Sequence, residues 1–387
     1  MLVAVAVGWL VYRRNFQIKT VTIFAFGVTL LSVWAGTWLP TVRLSLDEWS
    51  YILLFYCFLA SVLPVWLLLQ PRDFVNSLLL YLGLTSIFLG FFLLNPQFAA
   101  PAVQAHPEGA PPMFPFVFIV IACGAISGFH GLVSSGTTAK QIAKETDATF
   151  IGYGGMIGES LLGLVAVLAC TAGFQSRDLW TEHYQSWNLA QGLGPNMSAF
   201  INGSATFLSQ LGVSMPLARA FVALVAVSFA LTTLDSATRL LRFNISEISD
   251  TLRFPFLGNR YVASVLAVVA IGFFAFYRIG GQPAGLALWQ LFGTTNQVMG
   301  ALTLLAVTLY LMKRGRNYWF TGLPMLFMMV TTVIAMLIKL GDFWDLKTYP
   351  LLVVGAGILL LSLWLALEAV LRVIKIRQER AQAGFGT

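Results

Sequence analysis

Long apolar runs recur along the chain, and short polar stretches that carry most of its charges separate them. About 20 apolar residues are enough for an α-helix to cross the hydrocarbon core of a bilayer. An apolar run at residues 2–12 is too short to cross and is predicted to be the end of a partial helix. The pattern predicts ten complete spans, at residues 20–40, 51–70, 74–94, 114–138, 148–174, 217–238, 261–277, 284–312, 318–338 and 350–371.

The composition supports a polytopic, all-α membrane protein. Hydrophobic residues make up 58% of the chain and charged residues only 10%, whereas a soluble domain carries about 25% charged residues. So few charges cannot cover a water-facing surface of this size, which excludes a soluble enzyme, a disordered scaffold and a disulfide-rich secreted protein. The net charge of +7 does not indicate a nucleic-acid partner, because Lys and Arg mark the cytoplasmic loops of membrane proteins.

The positions of the basic residues predict the orientation. When the loops alternate between the two sides, 17 of the 23 Lys and Arg residues, Arg72, Arg239 and Arg242 among them, fall on one side. That side is predicted to be cytoplasmic. The sequence therefore predicts one transmembrane domain over residues 1–377 and a cytoplasmic tail at 378–387.

One hydrophilic segment on the opposite side has some apolar character. Residues 197–211 are too polar to span the membrane, yet they include Phe200, Ile201, Phe207 and Leu208. They are predicted to form an external hairpin or an interfacial helix. Two interpretations stay open, an external lid and a passive loop.

The most unusual span is the one at 114–138. Its second half contains Gly128, Gly131 and Gly136 among several Ser and Thr residues, with His130 near the middle of the span. Gly weakens a helix by about 1 kcal/mol relative to Ala, and hydroxyl side chains offer the backbone other hydrogen bonds. The pattern favours a broken helix that lines a cavity, where a half-helix N-terminus attracts an anionic group. Close helix packing is the alternative, because small residues also permit it.

A second polar cluster lies inside the span at 284–312. Residues 289–297 include Gln290, Thr294, Thr295, Asn296 and Gln297, where lipid-facing positions should be apolar. Amide side chains at this depth either bind a substrate carboxylate or hold neighbouring helices together.

Two acidic residues lie within apolar spans. Glu159 is nine residues from Phe150 at the predicted cytoplasmic end, which places it about 14 Å deep. An intramembrane carboxylate is a candidate proton carrier, although a buried Glu with one structural partner is an equal alternative. Asp235 has Arg239 four residues later, a spacing that predicts an ion pair between them near the inner surface.

No pattern in the sequence predicts an enzyme, a cofactor or a metal site. The three histidines and three cysteines are scattered, and no His-Glu-x-x-His, Gly-x-Ser-x-Gly or nucleotide-binding loop occurs. We therefore expect no catalytic residues, no cofactor, no metal ligands and no nucleic-acid partner. The oligomeric state is left open by the sequence.

At these polar segments the chain resembles the carbon starvation protein A (CstA) family. The likeness includes Ser-Ser-Gly-Thr-Thr at 134–138 and Leu-Trp-Gln-Leu-Phe-Gly-Thr-Thr-Asn-Gln at 288–297. It extends in order along nearly the whole chain, through residues 61–73, 114–130, 145–147, 151–155, 205–209, 229–241 and 244–247.

The resemblance implies a secondary transporter of the bacterial inner membrane that imports peptides or pyruvate, the latter with protons. It also implies the inverted-repeat architecture of the amino-acid/polyamine (LeuT-like) transporters, with broken helices. On that pattern residues 114–138 are similar to the second broken helix, 197–211 to the external gating hairpin, and 217–238 to the helix that faces the coupling ion.

These considerations give two sets of candidate residues. Those expected to couple transport to an ion or proton are Glu159, His130, Thr232, Thr233 and Asp235. Those expected to bind the substrate are Ser127, Gly128, Phe129, His130, Ser134, Ser135, Gly136, Thr137, Thr138, Asn296 and Gln297.

The chain departs from the family pattern at its start. The family normally begins with further spans that carry a Gly-His-His-Phe block, which resembles the first broken helix and is absent here. The expectation is a fragment, a truncated gene product or an incomplete member that would not transport alone. A channel and a sodium-coupled amino-acid permease remain alternatives to the proton-coupled carrier.

Overall fold

The structure is a computed structural model that describes residues 2–14, 16–39, 43–104, 109–190, 192–279 and 281–382. Within these residues all regular secondary structure is α-helical apart from a 3-10 turn at Thr138–Lys140 and a hairpin of two short strands, β1 (Arg278–Ile279) and β2 (Gln282–Pro283). The helices are α1 (Leu2–Arg14), α2 (Ile18–Gly36), α3 (Leu46–Val62), α4 (Leu69–Leu94), α5 (Met113–Ala125), α6 (Gly128–Gly136), α7 (Asp147–Ala172), α8 (Arg177–His183), α9 (Trp187–Ala190), α10 (Leu193–Ser209), α11 (Met215–Leu252), α12 (Arg260–Phe276), α13 (Ala284–Lys313), α14 (Trp319–Asp345) and α15 (Tyr349–Gln382).

Seven of the described helices are long and apolar enough to cross a membrane. The other three predicted spans fall on shorter elements: α3 and α12 have 17 residues each, and the span at 114–138 is divided between α5 and α6. The chain is therefore a multi-pass, all-α protein, but the count of ten complete spans is not reached by helix length. The seven are α2, α4, α7, α11, α13, α14 and α15.

The boundary between α3 and α4 differs from the prediction, which left residues 71–73 as a loop. Leu63 is extended, with φ −66° and ψ 148°, because the ring of Pro64 disfavours a helical conformation in the residue before it. The connection therefore lies at residues 63–68. As a consequence Arg72 is buried in the first turn of α4 and is not a loop residue.

The start of α3 has a local signal that the structure uses. The side chain of Ser45 accepts a hydrogen bond from the backbone N–H of Glu48, whose carboxylate accepts one from the N–H of Ser45. This capping box satisfies two backbone donors at the helix end. The hydrogen bond from the Ser45 backbone also lowers the pKa of Glu48 below its usual value.

Residues 197–211 do not form a hairpin. Residues 197–209 belong to the single helix α10, which ends at Ser209 and whose side chains Phe207, Leu208 and Ala205 are buried against α4, α7 and α11. Gly203 lies against the backbone of Ala169 so closely that an added Cβ would overlap the Ala169 carbonyl oxygen. This packing favours a core helix over a lid.

Contacts divide the chain into two compact units. Unit 1 comprises Met1–Ala110 and Ser160–Phe273, and unit 2 comprises Pro111–Glu159 and Phe274–Thr387. The core of unit 1 centres on Phe207, and the core of unit 2 on Met336 and Phe343. Within the predicted tail, residues 378–382 continue α15, and residues 383–387 lie outside the described part of the chain.

Candidate functional site

The helix predicted at 114–138 is interrupted immediately before the glycine-rich segment. Helix α5 ends at Ala125 and α6 begins at Gly128, so residues 126–127 alone separate the two described helices. The interruption is shorter than the segment that the glycines and hydroxyls suggested, because residues 128–136, including His130, form the helix α6. The predicted half-helix N-terminus is therefore at Gly128.

The side chain of Asn296 on α13 occupies this helix start. Its Oδ1 accepts a hydrogen bond from the backbone N–H of Phe129 at 2.9 Å and another from Ser127 Oγ at 3.0 Å. The first backbone N–H groups of a helix have no partner within the helix, so they need an acceptor of this kind. Asn296 is 4% exposed, so its first role is to join the interrupted helix to α13.

Gly128 allows the backbones of α6 and α13 to approach closely. An added Cβ would overlap Met299 and the carbonyl oxygen of Asn296 and would lie 2.6 Å from the Gly300 nitrogen. Gly300 on α13 is restricted in the same way, because a Cβ added to it would lie 2.8 Å from the carbonyl oxygen of Ile126. Gly128 is thus a packing residue at the break.

We expect Gly128→Ala to lower the free energy of unfolding by about 1–3 kcal/mol, as overpacking does in a filled core. Thermal unfolding in detergent measures the change. The matched control is Gly152→Ala on α7, where nothing lies within 4 Å of the added Cβ. That control should be neutral or stabilising, and equal losses in both variants would contradict the packing role.

The hydroxyl groups of α6 bond mainly to their own helix. Ser134 Oγ donates to the Gly131 carbonyl at 3.0 Å, and Ser135 Oγ donates to the same carbonyl at 2.9 Å. Both side chains are exposed, whereas Thr137 is buried and its Oγ1 has no hydrogen-bond partner among the described residues. Gly136 ends α6, and Thr138 begins the 3-10 turn that follows it.

Gln297 is buried beside Asn296 but faces α5. Its Nε2 donates to the Ile119 carbonyl at 3.3 Å, and its Oε1 has no partner within the described chain. The side chain is 1% exposed. This arrangement matches the helix-joining alternative for the amide cluster, and it leaves one buried acceptor unused.

His130 and Glu159 meet. His130 Nε2 lies 3.3 Å from Glu159 Oε1, and both side chains are partly exposed, at 51% and 38%. Both residues belong to unit 2. Contact between an imidazole and a carboxylate forms an ion pair when His130 is protonated, and the two groups can share or exchange a proton.

The predicted ion pair between Asp235 and Arg239 is wrong. Asp235 instead forms an ion pair with Arg72, and its Oδ2 also accepts a hydrogen bond from Tyr56 at 2.5 Å. Arg239 donates to the carbonyl oxygens of Ala60 and Leu63, at 2.5 and 3.1 Å. The end of α3 leaves these carbonyl oxygens without helical partners. They therefore bind the Arg239 side chain in place of Asp235.

The predicted coupling threonines lie on the same helix as Asp235. Thr232 Oγ1 lies 3.3 Å from Asp73 Oδ1 and accepts a hydrogen bond from Asn76 Nδ2 at 3.2 Å. Thr233 is exposed, and its hydroxyl donates to the carbonyl of Phe229 one turn earlier. Thr232 therefore joins a polar group with α4 in unit 1, and Thr233 does not.

The predicted residues thus fall into separate groups. Asn296 meets Ser127 and Phe129 at the break, and His130 meets Glu159, all within unit 2. The sequence reasoning missed the partners of Asp235 and Thr232 in unit 1. Pro71 directly before the Arg-Asp pair is a signal that these charges begin a helix and are not in a loop, because Pro is tolerated in the first turn of a helix. These partners are Tyr56, Arg72, Asp73 and Asn76.

A surface cavity of about 360 Å³ lies between α13 and α15 in unit 2. Its wall is apolar except for Thr295, and it includes the stacked rings of Trp289 and Phe292, whose centroids are 4.5 Å apart. None of the predicted substrate-binding residues lines it. The cavity is therefore distinct from the break at residues 126–127.

Comparison with known proteins explains why the polar segments occur together. The family model described as carbon starvation protein CstA matches residues 1–179 and 174–335. The chain belongs to this family. Two similar proteins come from Escherichia coli (strain K12). The peptide transporter CstA is 32% identical over 355 residues, which cover 77% of this chain and 50% of the relative.

The second relative from the same organism is named for another substrate. The pyruvate/proton symporter BtsT is 31% identical over 377 residues, covering 78% of this chain and 52% of the relative. The peptide transporter CstA of Mycobacterium tuberculosis (strain ATCC 25618 / H37Rv) is 30% identical over 399 residues, covering 86% and 52%. The chain spans about half the length of these curated relatives. No solved structure matches the chain.

Proposed function

We propose that this chain forms a proton-coupled secondary transporter, or the part of one that carries the coupling site, for pyruvate or short peptides. Family membership and the names of the relatives support transport. The observation that carries the coupling proposal is the 3.3 Å contact between Glu159 on α7 and His130 on α6, the helix that follows the break. Ionisable pairs at such positions are typical of proton pathways.

A substrate carboxylate and Glu159 are alternative partners for protonated His130. Pyruvate carries a carboxylate, and so does the C-terminus of a peptide. When Glu159 takes up a proton it loses its negative charge, and His130 then attracts the substrate carboxylate in its place. Loss of that proton restores the pair and displaces the substrate. Proton and substrate therefore bind together, which is the requirement for symport.

The proposed setting is the inverted-repeat architecture that the family resemblance implies. In it, the break between α5 and α6 corresponds to the second broken helix, with Ser127, Gly128 and Asn296 holding its geometry. The protein lies in a bacterial inner membrane with its C-terminus in the cytoplasm, in agreement with the basic residues near that end. The remaining predicted residues, from Ser134 to Thr138 and Gln297, border the same segment of α6 and α13 and are proposed to shape the path.

Sodium coupling at Asp235 is not favoured. Arg72 already neutralises the charge of this buried carboxylate, which removes most of the attraction for a cation. A channel requires rings of like residues around a pore, and the polar residues here form small local groups. Carrier behaviour is therefore the better description.

Uptake into proteoliposomes tests the proposal. The purified chain is reconstituted, and labelled pyruvate and labelled dialanine are offered with an inward proton gradient, with and without sodium. We expect saturable accumulation of at least one substrate that a protonophore abolishes and that replacement of sodium by choline does not change. Accumulation that needs sodium, or flux that does not saturate, would contradict the proposed function.

A further inference from the structure

Two arginines within α11 and one at the start of α12 form a basic cluster in unit 1. Arg239 and Arg242 are three residues apart on α11, and Arg260 begins α12. Arg239 and the start of α12 both lie beside the end of α3, because Arg239 donates to the Ala60 carbonyl and the hydroxyl oxygens of Ser61 and Ser264 are 3.0 Å apart. Because residue 238 ends the predicted span, this arginine cluster (Arg239, Arg242 and Arg260) is predicted to lie at the inner membrane surface.

No ion pair with the arginine cluster occurs within the part of the chain that the structure describes. No described carboxylate lies within 4.0 Å of any of the three guanidinium groups. Arg239 is compensated in part by the carbonyls at the end of α3. The guanidinium carbon of Arg242 lies 4.5 Å from the centroid of the Phe243 ring.

Two of these side chains are also buried. Arg239 is 5% exposed and Arg242 is 7% exposed, and the Nε atom of each has no hydrogen-bond partner among the described residues. Burying a guanidinium without an anion costs several kcal/mol, because water no longer solvates the charge. A fold that keeps such groups together therefore has a place for an anion.

We propose that the arginine cluster binds a phosphate group, with Arg242 as its main ligand and Arg260 as the exposed side of the site. A guanidinium fits phosphate oxygens with two parallel hydrogen bonds. Basic pockets between helices on the cytoplasmic side of membrane proteins bind anionic phospholipid headgroups. The phosphate is thus carried by a lipid headgroup or by a soluble phosphate compound, and the experiment separates these sources.

The test measures ligand-induced thermal stabilisation of the purified full chain in a neutral detergent. Phosphatidylglycerol, zwitterionic phosphatidylcholine and inorganic phosphate are titrated separately. We expect saturable stabilisation by phosphatidylglycerol that exceeds that by phosphatidylcholine. In Arg242→Gln the half-maximal concentration should rise about tenfold, because one charged hydrogen-bonding partner is lost.

Further variants separate binding from folding. Arg242→Lys keeps the charge and should fall between wild type and Arg242→Gln. Arg260→Gln changes an exposed side chain, so it provides a second measurement if Arg242→Gln does not fold. The matched control is Arg253→Asn, which removes one exposed positive charge from the same region at a position with φ 59°, a conformation that Asn accepts.

The outcomes decide the proposal and the source of the phosphate. An effect of phosphatidylglycerol alone assigns a lipid headgroup, and an equal effect of inorganic phosphate at the same variants assigns a soluble anion. The proposal is overturned if the glutamine variants bind both phosphatidylglycerol and inorganic phosphate as tightly as wild type. It is also overturned if Arg253→Asn weakens binding as much as Arg242→Gln, because general surface charge would then explain the effect.

Discussion

Asp235→Asn is expected to lower the free energy of unfolding by about 3–5 kcal/mol, the cost of removing one partner of a buried ion pair. Asp235 is 1% exposed and Arg72 is 5% exposed. Without the carboxylate, Arg72 would remain buried with only Asp73, which is partly exposed, to balance its charge. Reversible unfolding in mixed detergent measures the loss.

A control on the same helix separates this effect from a general sensitivity of α11 to charge removal. Glu247 is exposed near the end of α11, so Glu247→Gln should change the free energy of unfolding by less than about 0.5 kcal/mol. Comparable losses in the two variants would contradict the ion-pair explanation.

A double-mutant cycle distinguishes the observed partner from the one that the sequence predicted. Arg72→Gln combined with Asp235→Asn should give a coupling energy of about 2–3 kcal/mol, because the two side chains interact directly. Arg239→Gln combined with Asp235→Asn should give less than about 0.5 kcal/mol. A larger coupling for Arg239 than for Arg72 would show that Asp235 pairs along its own helix.

The helices were predictable because each depends on a local pattern. The apolar runs placed most helix ends within a few residues of those observed, such as 148–174 for Asp147–Ala172 and 284–312 for Ala284–Lys313. The boundary after α3 was predicted less well, because the apolar residues continue through Pro64 to Leu69. At that point the backbone restriction imposed by Pro64 outweighs hydrophobicity.

The partners of the charged residues were not predictable in the same way. Arg72 and Asp235 are 163 residues apart in the sequence, and no periodicity connects them. The i, i+4 spacing of Asp235 and Arg239 permits an ion pair, but it does not account for free carbonyls elsewhere. The carbonyl oxygens of Ala60 and Leu63 come within reach of Arg239 only when α3 packs against α11.

The candidate site shows the same division. Glycines and hydroxyls indicated that the span at 114–138 is interrupted, and Asn296 was recognised as an unusual polar residue in a membrane helix. That Asn296 supplies the acceptor for the Phe129 N–H depends on the approach of α13 to α6, which Gly128 and Gly300 permit. Composition identifies the residues, and tertiary packing decides which of them meet.

Glu159→Gln is expected to abolish proton-driven accumulation while exchange of substrate continues. With one proton per pyruvate, a gradient of one pH unit supplies 1.36 kcal/mol and supports about tenfold accumulation. A glutamine cannot carry the proton, so the inside-to-outside ratio should fall to about one. Counterflow, which exchanges labelled for unlabelled substrate without a gradient, should remain. Glu182→Gln, an exposed acid on α8, is the matched control and should accumulate substrate like wild type.

Substitutions of His130 and Glu159 should have different effects on the KM for exchange in the same counterflow assay. In Glu159→Gln the protonated imidazole has lost its carboxylate partner, so the substrate carboxylate binds at least as well and the KM for exchange stays equal or falls. In His130→Gln the cation itself is gone, and the KM should rise about tenfold, as expected for the loss of one charged hydrogen bond. If both variants raise the KM together, the pair serves only to hold α6 against α7. If Glu159→Gln accumulates substrate normally, the proton is carried elsewhere, and competition between Glu159 and the substrate for His130 is not the coupling step.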